Sequence, residues 1–292
     1  MKKFILITMI VPLFLAGCES RTDPNQPNGF IQIKGSDTIV NAEQMVAENF
    51  IKIYPQISIA VTGGGTGVGI ASLINKNCEI AGASREMKSK EIDTANKHGV
   101  HPFETVVAFD GVAVIVNLNN PIDKLTIDQL HKIYTGEIKN WKELGGKDIE
   151  IVLLSREVSS GTHTYFKEQV IQLGKKTSKE EFLPGTLLLS SSQAIVEEVA
   201  SNEGAIGYLG MGYVSGRTKS LMLDKGKGYF SPTVPNVISK QYPLSRPLYF
   251  YTDGEPNNLT KLFVNYALSE QGQQCFKLSG FVPLKDNATE IK

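Results

Sequence analysis

Three short segments of the chain share one pattern: a predicted strand, then small hydroxyl-bearing residues and glycines, then a predicted helix. They are Gly35-Ser36-Asp37-Thr38, Gly63-Gly64-Gly65-Thr66-Gly67, and a segment in which Arg156 precedes Ser159-Ser160-Gly161-Thr162. The first turn of a helix carries unpaired backbone N–H groups and partial positive charge. Glycines let the backbone approach a ligand closely, and hydroxyl groups add donors. Together the three junctions predict a site for a tetrahedral oxyanion held by converging donors.

The rest of the chain alternates between short apolar segments and segments with apolar residues at helical spacing. Strands are predicted at 30–33, 57–61, 80–83, 112–116, 149–154, 206–209 and 248–252. Helices are predicted at 39–54, 68–74, 88–97, 127–134, 162–173, 194–200 and 259–268. This alternation is typical of an α/β protein with largely parallel sheets. Crossovers near 111–116 and 243–246 would give lobe I from 30–112 plus 246–292, and lobe II from 113–245.

The N-terminus has the features of an export signal. Lys2 and Lys3 precede an apolar segment at 4–15 that is too short to span a bilayer as a helix. Leu-Ala-Gly-Cys18 follows and resembles the bacterial lipobox, in which the cysteine is lipidated. We predict a signal peptide at 1–17 and lipidation of Cys18; the alternative is a plain signal peptide with an incidental cysteine. Residues 18–29 would tether the protein to a bacterial membrane, facing the periplasm or the cell exterior.

Charge and cysteine content exclude some classes of partner. The chain has 30 basic and 30 acidic residues, and such a balance argues against non-specific nucleic-acid binding, which requires a basic surface. No Cys/His cluster has the spacing of metal ligands, so we expect neither a metal site nor a cofactor. The spacing of Cys78 and Cys275 leaves open a disulfide or two buried thiols, and we favour free thiols.

The first two junctions also have structural interpretations. Ser36, Asp37 and Thr38 are common N-cap residues, and five glycines within 63–69 could form a tight turn. The glycine segment lacks the Gly-Lys-Ser/Thr of a P-loop. In the functional interpretation, the Ser36 and Thr38 hydroxyls and the N–H groups of Thr38 and Ile39 face an anion.

Two further candidates lie beside predicted strands, one at the end of the third strand and one just before the strand 112–116. Ser84 and Arg85 end the third strand, where α/β sheets place their ligands; Arg85 could reach the anion or pair with Glu86 or Asp37. Asp110 could be a turn residue, but its carboxylate could also accept hydrogen from a protonated oxyanion. Phosphate carries such a hydrogen near neutral pH and sulfate does not, so a carboxylate at this position would reject sulfate.

The Arg156 segment is the most specific of the three junctions. The planar guanidinium of Arg156 suits two oxygens of an oxyanion, and Ser160, Gly161 and Thr162 then begin a helix. An enzymatic alternative makes Ser160 a nucleophile with His163 as its base. The chain has no Gly-x-Ser-x-Gly motif, and no orienting acid is evident.

Taken together, these motifs resemble the PstS-like family, the phosphate-binding lipoproteins of bacterial phosphate ABC importers, over about residues 30–285. The motifs that carry the resemblance are Gly-Ser-Asp-Thr at 35–38, the glycine segment with Thr66, Ala83-Ser84-Arg85-Glu86, Asp110-Gly111, Tyr134-Thr135-Gly136 through Trp141, Arg156 with Ser160-Gly161-Thr162, and Gly204-Ala205-Ile206-Gly207-Tyr208. The resemblance implies a two-lobed, type II periplasmic-binding-protein fold. Each lobe would be a mostly parallel sheet flanked by helices, with the ligand cleft at the hinge.

The resemblance also implies which residues contact phosphate. Carried over by position, the contacts are Thr38, Ile39, Thr66, Ser84, Arg85, Arg156, Ser160, Gly161 and Thr162, to which we add Ser36 from its place in the first loop. Some members of the family have an aspartate directly after the third-strand serine, as acceptor for the phosphate proton. Arg85 stands at that position here, so we assign the acceptor role to Asp110.

The implied function is binding of inorganic phosphate and its delivery to the permease of an ABC importer, by a monomer that catalyses no reaction. Three alternatives remain. The ligand could be another tetrahedral oxyanion such as sulfate or molybdate. The protein could be a phosphoester hydrolase that uses Ser160, or an adhesin or signalling lipoprotein that kept the fold and lost the ligand.

Overall fold

The computed structural model describes residues 26–284, so the predicted signal peptide, Cys18 and most of the tether lie outside the described residues. The strands are β1 (Gly29–Gly35), β2 (Ile57–Thr62), β3 (Ile80–Ala83), β4 (Pro102–Val116), β5 (Lys124–Thr126), β6 (Val152–Arg156), β7 (Leu187–Leu189), β8 (Ala205–Gly210), β9 (Lys219–Ser220), β10 (Met222–Asp224) and β11 (Ser245–Asp253). The α-helices are α1 (Val40–Ile53), α2 (Thr66–Ile74), α3 (Ser89–Lys97), α4 (Ile127–Thr135), α5 (Gly161–Phe166), α6 (Ser192–Ser201), α7 (Val234–Ile238), α8 (Asn258–Leu268) and α9 (Glu270–Leu278). Short 3₁₀ turns at Trp141–Leu144 and Met211–Tyr213 and a π-helix at Lys167–Ile171 complete the elements.

One sheet runs through the molecule in the order β2-β1-β3-β11-β4-β8-β6-β7, with β9 also paired to β4. The pairs at both ends are parallel, namely β1 with β2 and β3, and β6 with β7 and β8. The pairs in the middle are antiparallel, because β11 lies against β3 and β4, and β4 against β8 and β9. The predicted parallel pairing therefore holds at the ends of the sheet, and the middle is antiparallel.

The buried side chains form two groups. Two hydrophobic clusters come from residues 31–108 and 248–281, which we call the terminal half. Two others come from residues 112–244, joined by Val282, and we call this range the central half. The chain passes between the halves through β4 and β11, which are neighbours in the sheet, and the register places Asp110 opposite Arg246.

The strand β4 is three times as long as the sequence pattern predicts. The apolar run 112–116 is its last part, buried on both faces in the central half. Residues 102–111 continue the same strand toward the terminal half, where β11 pairs with them along their length. Their side chains are exposed, half-buried and buried in irregular order, so periodicity alone does not reveal them.

Local signals explain several boundaries. Apolar residues Ala42, Val46 and Phe50 bury one face of α1, which ends directly before Tyr54 and Pro55. Trp141, part of a motif shared with the PstS-like family, is buried and donates from Nε1 to the carbonyl of Gly204 at 2.9 Å.

Both cysteines of the described chain are buried and free, in separate clusters. Between residues 26 and 284, none of the helices combines the length and apolar character needed to cross a bilayer.

Candidate anion-binding site

The hydroxyl groups of the three junctions meet in the interior. Ser84 Oγ lies 3.0 Å from Ser36 Oγ and 3.3 Å from Thr66 Oγ1, all in the terminal half. Thr38 Oγ1 lies 2.8 Å from Thr162 Oγ1, which belongs to the central half. These five side chains, which we call the hydroxyl cluster, are at most 2% exposed. The predicted convergence of donors from the junctions is therefore present, and it spans both halves.

The first junction is shaped by its own polar groups. The Ser36 N–H donates to the carbonyl of Gly82 at 2.9 Å, which holds the loop against β3. Ser36 Oγ accepts from the Thr38 N–H at 3.2 Å, and the Ile39 N–H donates to the Ser36 carbonyl at 3.2 Å. The side chain of Ile39 is fully buried in the hydrophobic core of the terminal half.

The glycine segment crosses to the central half. Gly65 has φ +96°, a conformation that favours glycine, and a Cβ there would lie 2.8 Å from the Ser159 carbonyl oxygen. The Gly67 N–H donates to the same oxygen at 2.8 Å, and Ser159 Oγ donates to the Gly64 carbonyl at 3.3 Å. Thr66 then begins α2, with its hydroxyl in the cluster.

The third junction packs directly on the first two. Ser160 Oγ caps α5 by accepting from the N–H groups of Thr162 and His163 at 3.2 and 3.4 Å. A Cβ on Gly161 would lie 2.4 Å from Thr66 Oγ1 and 2.5 Å from Ser84 Oγ. Glycine at position 161 therefore permits the two halves to touch at the cluster.

The enzymatic alternative lacks its base in this structure. His163 Nδ1 lies 3.1 Å from Ser155 Oγ, and burial lowers the pKa of His163. Ser155 in turn contacts the Tyr208 hydroxyl at 2.5 Å. The His163 side chain thus pairs with Ser155 rather than Ser160.

Asp110 and Arg246 form a buried ion pair beside the cluster. Asp110 Oδ2 accepts from Arg246 Nε at 3.0 Å and from Nη2 at 2.8 Å, and Oδ1 accepts from the Met211 N–H at 3.0 Å. Arg246 Nη2 also donates to Thr162 Oγ1 at 2.9 Å, and Nη1 donates to the Ser84 carbonyl at 2.8 Å. Arg246 thereby joins the strands that cross between the halves to Thr162 in the central half and to Ser84 in the terminal half.

Sequence reasoning did not identify Arg246. The available signal is that Arg246 is the one charged residue between 241 and 252, within a segment otherwise rich in apolar and aromatic residues. A charge in such a strand needs a buried partner, which is a reason to expect a functional role.

Burial and hydrogen-bond donors act in opposite directions on the pKa of the Asp110 carboxyl. Burial raises the pKa of the Asp110 carboxyl, and the Arg246 guanidinium and the Met211 N–H act against that rise. An ionised carboxylate has about four lone-pair sites. Three protein donors leave Asp110 capacity to accept one further hydrogen.

Arg156 reaches across to the terminal half and pairs with Asp37. Its Nη2 donates to Asp37 Oδ2 at 2.8 Å and to the Ser190 carbonyl at 2.9 Å. Its Nη1 donates to Ser192 Oγ at 2.9 Å, and Nε donates to the Leu189 carbonyl at 3.3 Å. Burial lowers the pKa of Arg156, and the charge of Asp37 acts against that shift. With four of its five N–H groups used within the described chain, Arg156 retains one on Nη1.

Within the described chain, the Arg85 side chain bonds to Glu91 and the Glu86 carbonyl and not to the hydroxyl cluster, and its buried Nε has no hydrogen-bond partner. Two of its N–H groups donate to the Glu91 carboxylate at 2.8 Å each, and Nη1 also donates to the Glu86 carbonyl at 2.8 Å. The expected carboxylate partner was Glu86 or Asp37; the structure gives Glu91, which is oriented by the Lys88 N–H at the start of α3. Arg85 and Arg246 both line a cavity of about 560 Å³ at the boundary of the halves.

Acidic, histidine and cysteine side chains do not assemble into a metal site: within residues 26–284, no three of them lie close enough together to hold an ion.

The chain is similar to known binding proteins in sequence and in fold. Residues 20–271 match the PBP superfamily domain. The phosphate-binding protein PstS of Pseudomonas aeruginosa is 30% identical over 282 residues, covering 90% of this chain and 85% of that protein. The PstS of Borreliella burgdorferi is 29% identical and covers 97% of this chain and 99% of its own length.

Solved structures of phosphate-binding proteins are also similar to this chain. A phosphate ABC transporter substrate-binding protein from Clostridium perfringens, solved with bound phosphate, superposes with a TM-score of 0.79 at 33% identity, over 88% of this chain and all of that one. An ABC-type phosphate transport receptor from Vibrio cholerae gives 0.69 at 30% identity, over 86% and 99%.

These similarities confirm the predicted fold class, the two-lobed type II periplasmic-binding-protein fold. The family match spans residues 20–271, and the relatives cover most of this chain and of their own length. The chain therefore belongs to the PstS family of phosphate-binding proteins, within the PBP superfamily.

Proposed function

We propose that this protein binds inorganic phosphate between its two halves and delivers it to the permease of an ABC importer. The observation that carries the proposal is the buried cluster of hydroxyls from both halves around the Asp110–Arg246 pair. Relatives named for phosphate binding, and a related structure solved with phosphate, support the choice of ligand.

The proposed contacts are those assigned from sequence together with Arg246. Hydroxyl and N–H donors would come from Ser36, Thr38, Ile39, Thr66, Ser84, Ser160, Gly161 and Thr162. Hydroxyls that now contact one another would turn toward the ion, since a hydroxyl hydrogen rotates freely. Arg156 would contribute its remaining Nη1 hydrogen. Arg85 pairs with Glu91 through its two Nη groups, but its buried Nε has no hydrogen-bond partner within the described chain, and we propose that this donor serves the site from the neighbouring cavity.

The charges of the site support recognition by hydrogen bonds. Each guanidinium beside the cluster has a carboxylate partner: Asp110 pairs with Arg246, and Asp37 pairs with Arg156. The net charge that remains is small, so donors must carry much of the binding. Asp110 would accept the hydrogen of a protonated phosphate, whereas sulfate would present an oxygen lone pair to the carboxylate.

We propose that the two halves are lobes that close on the ion. Lobe I would comprise 30–112 plus 246–292 and lobe II 113–245, with β4 and β11 as the hinge. Contacts between the halves, such as Thr38 with Thr162 and Gly67 with Ser159, would break on opening. The permease would recognise the closed form and receive the ion, with no bond made or broken.

The remaining sequence predictions complete the proposal. The signal peptide at 1–17 would direct export, lipidated Cys18 would anchor a monomer to the membrane, and 18–29 would be the tether. The folded part would then face the periplasm or the cell exterior.

A hydroxyl variant tests the site. We expect isothermal titration calorimetry to give one phosphate per chain for the wild type, and at least about tenfold weaker binding for Thr162→Val, because a buried hydroxyl partner is lost. Thr94→Val is the matched control, since the Thr94 hydroxyl donates to a helix carbonyl on the surface. Unchanged affinity in Thr162→Val would place the ligand elsewhere.

A further inference from the structure

Asp37 contacts three separate segments through three different oxygens. Its Oδ1 accepts from the Gly64 N–H at 3.0 Å, within the terminal half. Its Oδ2 accepts from Arg156 Nη2 at 2.8 Å, and its carbonyl oxygen accepts from the Tyr213 hydroxyl at 2.7 Å, both in the central half. One residue thus joins the glycine segment to two elements across the boundary.

The Asp37–Arg156 pair lies at the edge of the buried cluster. The Arg156 side chain is 1% exposed and that of Asp37 is 16% exposed, so water screens the pair only weakly. The other partners of Arg156 (Leu189, Ser190 and Ser192) belong to the central half. Asp37 is therefore the partner that Arg156 would lose if the halves parted.

Loss of the Asp37 carboxylate would raise the free energy of the buried Arg156 side chain. A buried guanidinium without its carboxylate is destabilised until water reaches it, so the pair favours the closed arrangement. The charge of Asp37 would also repel a nearby anion, and pairing with Arg156 offsets that repulsion. The two residues therefore act as a unit.

We propose that Asp37 is a positioning residue: its carboxylate holds Arg156 from across the cleft and keeps the halves closed around the bound ion. This inference rests on the proposed phosphate binding and adds to it a residue outside the set of ligands. Asp37 would act mainly on release, because its bonds across the cleft exist only when the halves are together.

The test uses Asp37→Asn, which keeps an acceptor for the Gly64 N–H and leaves the backbone carbonyl for Tyr213. We expect stopped-flow measurements to show phosphate dissociation about tenfold faster, with association within about twofold of the wild type. Asp148→Asn is the control, because Asp148 pairs with Lys142 on the surface of the central half. Equal dissociation rates in Asp37→Asn and the wild type would overturn the inference.

A double-variant cycle separates positioning from a role in the loop alone. In an Arg156→Gln background, Asp37→Asn should change the dissociation rate by less than about twofold, since the partner is already gone. The same tenfold effect in both backgrounds would mean that Asp37 only supports the glycine segment, and would contradict the inference.

A measurement on the phosphate-free protein tests this inference separately from the proposed function. Small-angle scattering of the phosphate-free protein should show a larger radius of gyration for Asp37→Asn than for the wild type. A wild type that does not bind phosphate would refute the proposed function, yet this comparison would still test closure. Identical radii together with identical dissociation rates would refute the role of Asp37.

Discussion

The Asp110 carboxylate accepts two hydrogen bonds from the Arg246 guanidinium, at 2.8 and 3.0 Å, where the two crossing strands are paired. Both side chains are almost completely buried. Because Arg246 also donates to Thr162 and Ser84, the pair connects the strands that join the halves to the donors proposed for phosphate.

Asp110→Asn should relax selectivity. An asparagine keeps the shape and adds N–H donors, so it removes the acceptor for the phosphate hydrogen and the repulsion of sulfate. We expect the ratio of sulfate to phosphate dissociation constants to fall by at least about tenfold, as unpaired buried groups give large discrimination. Calorimetric titrations with both anions at equal ionic strength measure the ratio, and an unchanged ratio would assign the acceptor role to another group.

Arg246→Gln should destabilise the fold and weaken binding together. Removing one partner leaves the buried Asp110 charge unpaired, at a cost of about 3–5 kcal/mol. Urea denaturation measures this loss, and Arg217→Gln, at an exposed pair with Glu197, is the control. In Asp110→Asn/Arg246→Gln, stability should partly recover while phosphate binding stays weak. Recovery of both would show that Arg246 serves the fold alone.

Gly161→Ala should impair binding through a clash between the halves. The added Cβ would lie 2.4 Å from Thr66 Oγ1 and 2.5 Å from Ser84 Oγ, so the halves would have to separate or the hydroxyls to move. We expect about tenfold or greater loss of phosphate affinity. Gly216→Ala, where a Cβ meets no atom within 4 Å, should bind as the wild type does. Normal affinity in Gly161→Ala would contradict close packing at this point.

Glu43 should make stability depend on pH. Burial raises its pKa to about 8 from an ordinary value of 4.5, the charge of Asp37 adds to the rise, and neither carboxyl oxygen has a hydrogen-bond partner within the described chain. Between those values the unfolded chain releases a proton that the folded protein retains. The contribution of Glu43 to the free energy of unfolding should therefore be largest below about pH 4.5 and fall toward pH 8, by up to about 1.4 kcal/mol per pH unit.

Glu43→Gln tests that assignment, because it removes the titrating group and keeps the shape. Urea denaturation at pH 5, 6.5 and 8 should show a smaller fall in the variant than in the wild type. Parallel curves for the two proteins would mean that Glu43 does not titrate in this range.

The sequence indicates those parts of the candidate site that depend on neighbouring residues along the chain. The three junctions are recognisable because N-cap hydroxyls and glycines cluster where strands end and helices begin. Their convergence follows from α/β topology, which places such loops at one edge of the sheet. The resemblance to a known family supplied the ligand, which donors alone do not specify.

The pairing of charges was not predictable in the same way. Asp37 and Arg156 are 119 residues apart, and Asp110 and Arg246 are 136 apart, so only the tertiary fold brings them together. The antiparallel pairing of β4 with β11 brings Asp110 and Arg246 together. The apolar residues within 102–111 show no clear periodicity from which this strand could be predicted. Arg156, predicted as an anion ligand, also bonds to Asp37, Ser190 and Ser192, and its local sequence did not indicate these partners.

The central claim is that a buried donor cluster with one acceptor carboxylate selects phosphate. Isothermal titration calorimetry of the purified protein with phosphate and, separately, with sulfate at neutral pH and equal ionic strength tests it most directly. We predict one phosphate bound per chain, and sulfate binding at least about a hundredfold weaker. Equal affinity for the two anions, or no binding of phosphate, would contradict the account.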